Sequence, residues 1–352
     1  MTFYSLTKMT ICLSMIIKNE QDCIERCLLS VLPIIDSWVI NDNGSTDNSQ
    51  NIINKTLKNL PGKIINSPFI NFSHNRNLAL EEAKLLGDYI LIIDADDILV
   101  INSPLPILNH DIYNLKIKYG NIEYERPQLI KSSIKSSWKC PVHEYLDCDG
   151  SRALLDNCFI KITNDGERSK DKNKFIKDAE LLENELKNDP NNPRYLYYLA
   201  QSYRDAGNIN KSIEIFEKRI KINGWNEEDY MACINLSKLY ILKNNKRFEE
   251  ILLKAFNKIK RVEAMYYLSL YYRLQEEYDK AYFYASVGIN CQKPISGLFI
   301  EHEIYKWKMM DEMAISAYYI GKKQECKELN LLLLNVIPEI HRNRILNNIS
   351  FC

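Results

Sequence analysis

"GDYILIIDADDILV", residues 87–100, sets an apolar run directly against an acidic cluster. Ile90, Leu91, Ile92 and Ile93 read as a buried strand, and Asp94, Asp96 and Asp97 crowd its carboxyl end. Like charges this close are costly unless a cation or hydrogen-bond donors offset them. The cluster therefore either caps a turn or holds a metal, and the flanking sequence has to choose.

Upstream, short apolar runs alternate with amphipathic segments. "TICLSMII" (10–17) reads as a buried strand, and Ile24, Cys27, Leu28 and Val31 then recur at helical spacing until Pro33. "SWVIND" (37–42) is a second strand. Ser45 or Thr46 can cap the next helix, which carries Ile53, Leu57 and Leu60 on one face and ends at Pro61-Gly62. "KIINS" (63–67) is a third strand, "RNLALEEAKLL" (76–86) a third helix, and "YILIIDAD" (89–96) a fourth strand. Such alternation predicts a mainly parallel sheet with helices on both faces. Ligands of these sheets sit beyond the carboxyl ends of the strands. Asp42 and Asp94–Asp97 should then face one crevice. "IYNLKIKYGNIEYERPQLIK" (112–131) alternates apolar and polar residues about a turn at Gly120, like added antiparallel strands, and "SSWKCPVHEYL" (136–146) reads as a further short strand or loop.

From about residue 170 the period changes to 3.6, with Phe175, Ala179, Leu182 and Leu186 on one face. Leu199, Ala200, Tyr203, Ser212 and Phe216 occupy positions of a helix-turn-helix repeat of tetratricopeptide type, and Leu268, Ser269, Tyr272, Ala281 and Ala285 repeat the scheme. A weaker copy surrounds Leu236, Ser237 and Tyr240, and a degenerate one lies near "ISAYYIGKKQECKELNLLL". The chain divides into an α/β domain, 1–168, and an all-α solenoid, 169–352.

The bulk numbers bound the function. The 352 residues are 46% hydrophobic and 26% charged, as in ordinary globular proteins. Lys plus Arg and Asp plus Glu each number 46, so no cationic excess argues for nucleic-acid binding. No apolar run approaches the roughly 20 residues of a membrane span, and residues 1–20 lack an export signal. Ten cysteines without a CxxC pair fit reduced thiols. The expectation is a cytoplasmic protein.

D-x-D after a buried strand suits a hard cation, Mn²⁺ or Mg²⁺, shared between carboxylates and substrate phosphates. With a second acidic site after an earlier strand, the arrangement fits a nucleotide diphosphate. Asp42 can accept hydrogen bonds from a base or ribose. In "FSHNRNLAL" (72–80), Arg76 stands with His74 and Asn77 at a helix start, where it pairs with a phosphate, holds one of the aspartates, or is simply solvated.

Taken in order, "LSMIIKNE", "VINDNGSTDNS", "NFSHNRNLALEEA" and "GDYILIIDADD" closely resemble the family 2 glycosyltransferases of GT-A fold. "WKCPVHEYL", "DGERSKDKNKF" and "PRYLYYLAQSYRDAG" resemble the subgroup with a tetratricopeptide-like C-terminal region. The resemblance implies inverting transfer from a nucleotide-diphosphate sugar to a hydroxyl of a protein or glycan acceptor. It places Lys18, Asn19 and Glu20 near the nucleoside, Asp42 on the base, and Asp94 on ribose or sugar. Asp96 would hold the metal, with His143 as a further metal contact, and Arg168 and Lys172 would close over the diphosphate. Family members commonly carry the base downstream of D-x-D, in an acidic pair before a helix. That pair is not evident here, which leaves Glu144, with Asp147 behind it. Two rival readings are a solenoid adaptor with an inactive transferase domain and a nucleotidyltransferase. The second is disfavoured because "MIIKNEQDC" after the first strand has no glycine. Solenoids bind proteins or peptides on a concave face, so a protein partner there is expected.

Overall fold

The computed structural model describes residues 9–352 apart from residues 121 and 296. The export-signal reading therefore falls partly on residues 1–8, outside the described residues. In chain order the first part comprises β1 (Ile11–Ile17), α1 (Ile24–Val31), β2 (Ser37–Asp42), α2 (Ser49–Thr56), β3 (Gly62–Asn66), α3 (Phe72–Ala83), β4 (Tyr89–Ile92) and β5 (Ile98–Ile101). It continues with β6 (Ile112–Tyr119), β7 (Ile122–Lys131), β8 (Ser136–Lys139), β9 (Tyr145–Cys148), β10 (Arg152–Lys161), α4 (Glu167–Lys170) and α5 (Lys174–Leu186).

Eight strands form one sheet in the order β3-β2-β1-β4-β7-β6-β10-β5. The first four are parallel to one another. The rest is mixed, as the antiparallel strands expected at 112–131 require. The 112–131 segment folds back at Gly120, so β7 enters antiparallel between β4 and β6. β10 then runs parallel to β6 and antiparallel to β5. β8 and β9 pair separately as a two-stranded hairpin.

Period-2 alternation distributes β1 between two cores. Ile11, Leu13, Met15 and Ile17 join Ile24, Leu28, Ile53 and Leu57 of α1 and its neighbours on one face. Cys12 turns to the other face with Val39, Ile90, Ile92 and the α3 residues Ala79, Leu80 and Ala83. Both faces are covered, which is why the strands read as nearly continuous apolar runs.

The chain splits into two compact units, the first ending at Glu185 and the second starting at Leu186. The change of sequence period pointed to 168/169. The division falls later because α5, though helical in period, is tied to the sheet unit: Arg168 pairs with Asp178 and Asn71 donates to Glu185.

The second unit contains α6 (Pro193–Asp205), α7 (Ile209–Arg219), α8 (Asn226–Leu242), α9 (Phe248–Lys258), α10 (Val262–Leu274), α11 (Tyr278–Gly288), α12 (Met309–Tyr319), α13 (Lys323–Leu333) and α14 (Arg342–Phe351). Successive helices pack as α6–α7, α8–α9, α10–α11 and α12–α13 pairs, and neighbouring pairs stack. One core runs through them from Tyr197 to Met313. Asn192 and Asn208 cap α6 and α7 through their side-chain oxygens, and Pro193 opens α6. A buried serine ties the helices of three pairs. Ser212 of α7 donates to the Ala200 carbonyl (2.7 Å), Ser237 of α8 to Phe248 (3.3 Å) and Ser269 of α10 to Ala281 (2.9 Å). The architecture is a mixed α/β sheet unit followed by a tetratricopeptide-like helical solenoid.

Candidate active site

The loops after β1 and β2 are laced together. Asn19 adopts a left-handed backbone (φ 58°), a conformation that asparagine tolerates better than most residues. Its N–H donates to Ser45 Oγ (2.9 Å) and its Oδ1 accepts from the Thr46 N–H (2.7 Å). The Glu20 N–H donates to Ser49 Oγ (2.8 Å). Ser45 is thus a partner of Asn19 rather than a helix cap. The N-cap of α2 is Asn48, so neither Ser45 nor Thr46 has the predicted capping role.

Asp42 closes β2 almost completely buried, at 1% exposure. Its Oδ1 accepts from the Gly44 and Ser45 amides (3.1 and 2.8 Å), and its Oδ2 accepts from Gln50 (2.5 Å). Gln50 also donates to Asn66 at the end of β3 (2.7 Å), spanning the two strand ends. Asp42 therefore shapes this loop, using both carboxylate oxygens. Lys18 is exposed.

After β4 the acidic residues separate into different environments. Arg76, on α3, forks between Asp94 and Glu144, with both contacts at 2.6 Å, and lies over the Trp138 ring at 4.9 Å. Burial works against the charge of Asp94, but Arg76 and Arg126 outweigh it and hold the carboxyl below its ordinary range. Among the described residues no cation forms an ion pair with the Asp96 carboxylate. Burial, then the neighbouring Asp94, push its carboxyl up. Asp97 is 3% exposed, and burial together with Asp94 and Asp96 pushes it up to about 8. At the lip of β4, among the described residues, a carboxylate is ion-paired at Asp94, whereas Asp96 and Asp97 are pushed toward their neutral forms.

A segment following β10 lies against this lip. Thr163 Oγ1 donates to the Asp96 carbonyl, and Arg26 of α1 donates to the same carbonyl (2.9 Å), to Thr163 (2.8 Å) and to Asp165 (2.8 Å). The Gly166 N–H reaches Asp96 Oδ2 (3.3 Å) and the Glu167 N–H reaches Glu20 Oε2 (3.2 Å). A Cβ on Gly166 would stand 2.9 Å from Asp96 Oδ2 and 3.1 Å from Glu20 Oε2, so only glycine fits without displacing them. Burial raises the Glu20 carboxyl.

Other expected site residues lie elsewhere. Arg168 pairs with Asp178 (2.6 and 2.8 Å) and lies over Phe72, so its guanidinium is engaged within the protein. Lys172 is exposed. His143 is exposed with φ 53°, and Asp147 is exposed on β9, opposite Ser137. Among the described residues, no three His, Cys, Asp or Glu side chains group as a metal site made wholly of protein side chains would. Asp96 and His143 thus form no three-donor protein cluster. Gln50, Arg26, Thr163 and Gly166 escaped the sequence reading. "TNDG" (163–166) is a turn signal that could have flagged the segment, but nothing local marks Arg26.

The family model for glycosyl transferase family 2 matches residues 12–110. A TPR repeat-containing protein of Synechococcus elongatus is 27% identical over 146 residues, 38% of this chain and 35% of that protein. An uncharacterized glycosyltransferase of Rickettsia typhi is 35% identical over 82 residues, 23% of this chain and 26% of that protein. The chain thus spans about a third or less of these relatives. Among solved structures, MamA aligns with 48% of this chain and 86% of its own at 20% identity and a TM-score of 0.38. YrrB, described as a TPR protein with an unusual peptide-binding site, aligns with 49% and 81% at 10% identity and 0.39. No helix among the described residues is long and apolar enough to cross a membrane. Residues 12–110 thus match a glycosyl transferase family 2 domain, and the helical region that follows the sheet unit is tetratricopeptide-like.

Proposed function

We propose that the protein is a glycosyltransferase that moves a sugar, with inversion, from a nucleotide-diphosphate donor to a hydroxyl of a protein or glycan acceptor. The observation that carries this reading is the uncompensated carboxylate of Asp96, set beside the laced Asn19–Glu20 and Asp42–Gln50 loops at the carboxyl ends of three adjacent parallel strands.

The nucleoside end of the donor lies along the loops around Asn19, Glu20 and Asp42. Asp42 acts there by fixing the loop, because its own oxygens are engaged. Asp96 suits Mn²⁺ or Mg²⁺: it is an oxygen donor whose charge burial disfavours, and such ions take one or two carboxylates plus substrate phosphates and water. A divalent ion on Asp96 would supply the positive charge that lets the diphosphate depart. Arg76 keeps Asp94 charged and oriented toward the ribose or sugar. The acceptor oxygen forms the new bond to the anomeric carbon as the bond to the diphosphate breaks, and its proton passes to a carboxylate of the 144–147 stretch. Glu144 also steadies Arg76, and Asp147 is the more exposed alternative. The solenoid offers a surface for a protein acceptor or partner.

The test is a panel of nucleotide sugars assayed for transfer and hydrolysis with Mn²⁺. Turnover should disappear with Asp96→Asn and with chelator. Activity indifferent to both would remove the metal role, and no nucleotide-sugar binding by calorimetry would favour an adaptor instead.

A further inference from the structure

Arginines at the lip of β4 and beyond it are engaged with carboxylates. Arg76 holds Asp94 and Glu144, Arg26 holds Asp165, and Arg168 holds Asp178. Arg126 differs. It is half-buried midway along β7, its Nε is buried without a hydrogen-bond partner, and among the described residues it forms no ion pair. Its one close contact of note is the Tyr124 ring, 5.8 Å from the guanidinium carbon. A guanidinium presents five donors in a planar fork suited to carboxylate or phosphate, so one left unpaired at a substrate lip is a recognition element in waiting.

Topology says which part of a substrate it would meet. Leu91 of β4 opposes Leu129 of antiparallel β7. Asp94 comes just past the end of β4, and Arg126 lies back along β7 in the same direction, beyond its register shift between Leu129 and Pro127; the charge of Arg126 acts on both Asp94 and Asp97. Along the sheet edge the functional groups therefore follow one order: Asp42 after β2, Asn19 and Glu20 after β1, Asp94–Asp97 after β4, then Arg126 on β7. A donor with its nucleoside near β1 and β2 and its diphosphate at Asp96 directs the transferred sugar toward β7. The acceptor approaches from beyond that sugar.

We propose that Arg126 binds an anionic group, phosphate or carboxylate, carried by the acceptor beside its reacting hydroxyl. This rests on the glycosyltransferase reading of the same site. It makes the acceptor an acidic molecule and Arg126 its selectivity determinant. The competing role is a counter-charge for buried Asp97, with no ligand.

The experiment labels the full chain with phenylglyoxal, which modifies guanidinium groups, and reads Arg126 by peptide mass mapping. Labelling is done with no addition, with inorganic phosphate, with acetate, and with UDP or GDP plus Mn²⁺. Arg126 should be labelled in the unliganded protein and protected several-fold by phosphate or acetate, and the better protector names the anion. UDP or GDP should leave it reactive. Protection by the nucleotide alone would reassign Arg126 to the donor, and indifference to every anion would make it a counter-charge; either overturns the proposal. Thermal shifts read in parallel separate the two hypotheses. If neither nucleotide stabilises the protein, the donor reading fails whatever Arg126 does. If one does, and its shift persists in Arg126→Gln and Arg126→Lys while the stabilisation by phosphate or acetate falls in both, the anion effect belongs to Arg126. Arg126→Lys keeps the charge but loses the planar fork, so it should recover only part of the anion effect.

Discussion

Asp165 shows how single residues hold the lip of the site. Its pairing with Arg26 holds its carboxyl below the ordinary range. A carboxyl depressed in the folded state contributes stability that is complete above its unfolded value, about 3.9, and is lost as pH falls through the folded one. The pair is substantially exposed, so the contribution is about 1 kcal/mol or less. Asp165→Asn should therefore lower the melting temperature slightly at neutral pH, and the gap to wild type should close in acid. A gap independent of pH would mean that the charge of Asp165 is not what matters. Arg26 and Asp165 stand 139 positions apart, which is why no local pattern announced them. Arg76 was more legible, because an arginine at a helix start beside an acidic strand end has few partners to choose from. Its second partner, Glu144, depends on where the β8–β9 hairpin lands, and the sequence spacing does not encode that.

The repeats of the solenoid solve one packing problem in two ways. In the α6–α7 pair alanine stands on the first helix and serine on the second, whereas α10–α11 has serine first and alanine second. Each arrangement gives one small buried contact and one hydroxyl donating to a carbonyl across the pair, and all four residues are at or near zero exposure. Ser212→Ala alone should cost about 1 kcal/mol, the net worth of a hydrogen bond. Adding Ala200→Ser should restore most of it, since the hydroxyl then comes from the other side, as in α10–α11. A double-mutant cycle by urea unfolding reads that coupling, and simple additivity would show that the two positions do not share the contact. Helix pairs were visible in advance because the 3.6 period is carried by each helix alone. β5 and β10 were not. β5 is four residues directly behind an acidic turn, and β10 is half polar, so each owes its strand state to a neighbour distant in sequence.

At the scale of the molecule, the question is where the sheet unit ends. The sequence changes period near residue 170, yet the compact unit runs through Glu185. α5 buries Ala179 and Leu182 and supplies Asp178 to Arg168 and Glu185 to Asn71. A helical period tells how a segment coils, whereas unit membership depends on what it is packed and paired with. The two criteria separate at α5. A fragment ending at Arg168 keeps every strand and the whole acidic lip but leaves Arg168 without Asp178. A fragment ending at Leu186 keeps the pair. The longer fragment should melt cooperatively and be stabilised by a nucleoside diphosphate with Mn²⁺, as ligand binding to the native state requires. The shorter should melt lower or aggregate, because the segment after β10 has lost the helix that anchors it. Identical melting of the two fragments would return α5 to the solenoid and restore the boundary that periodicity suggested.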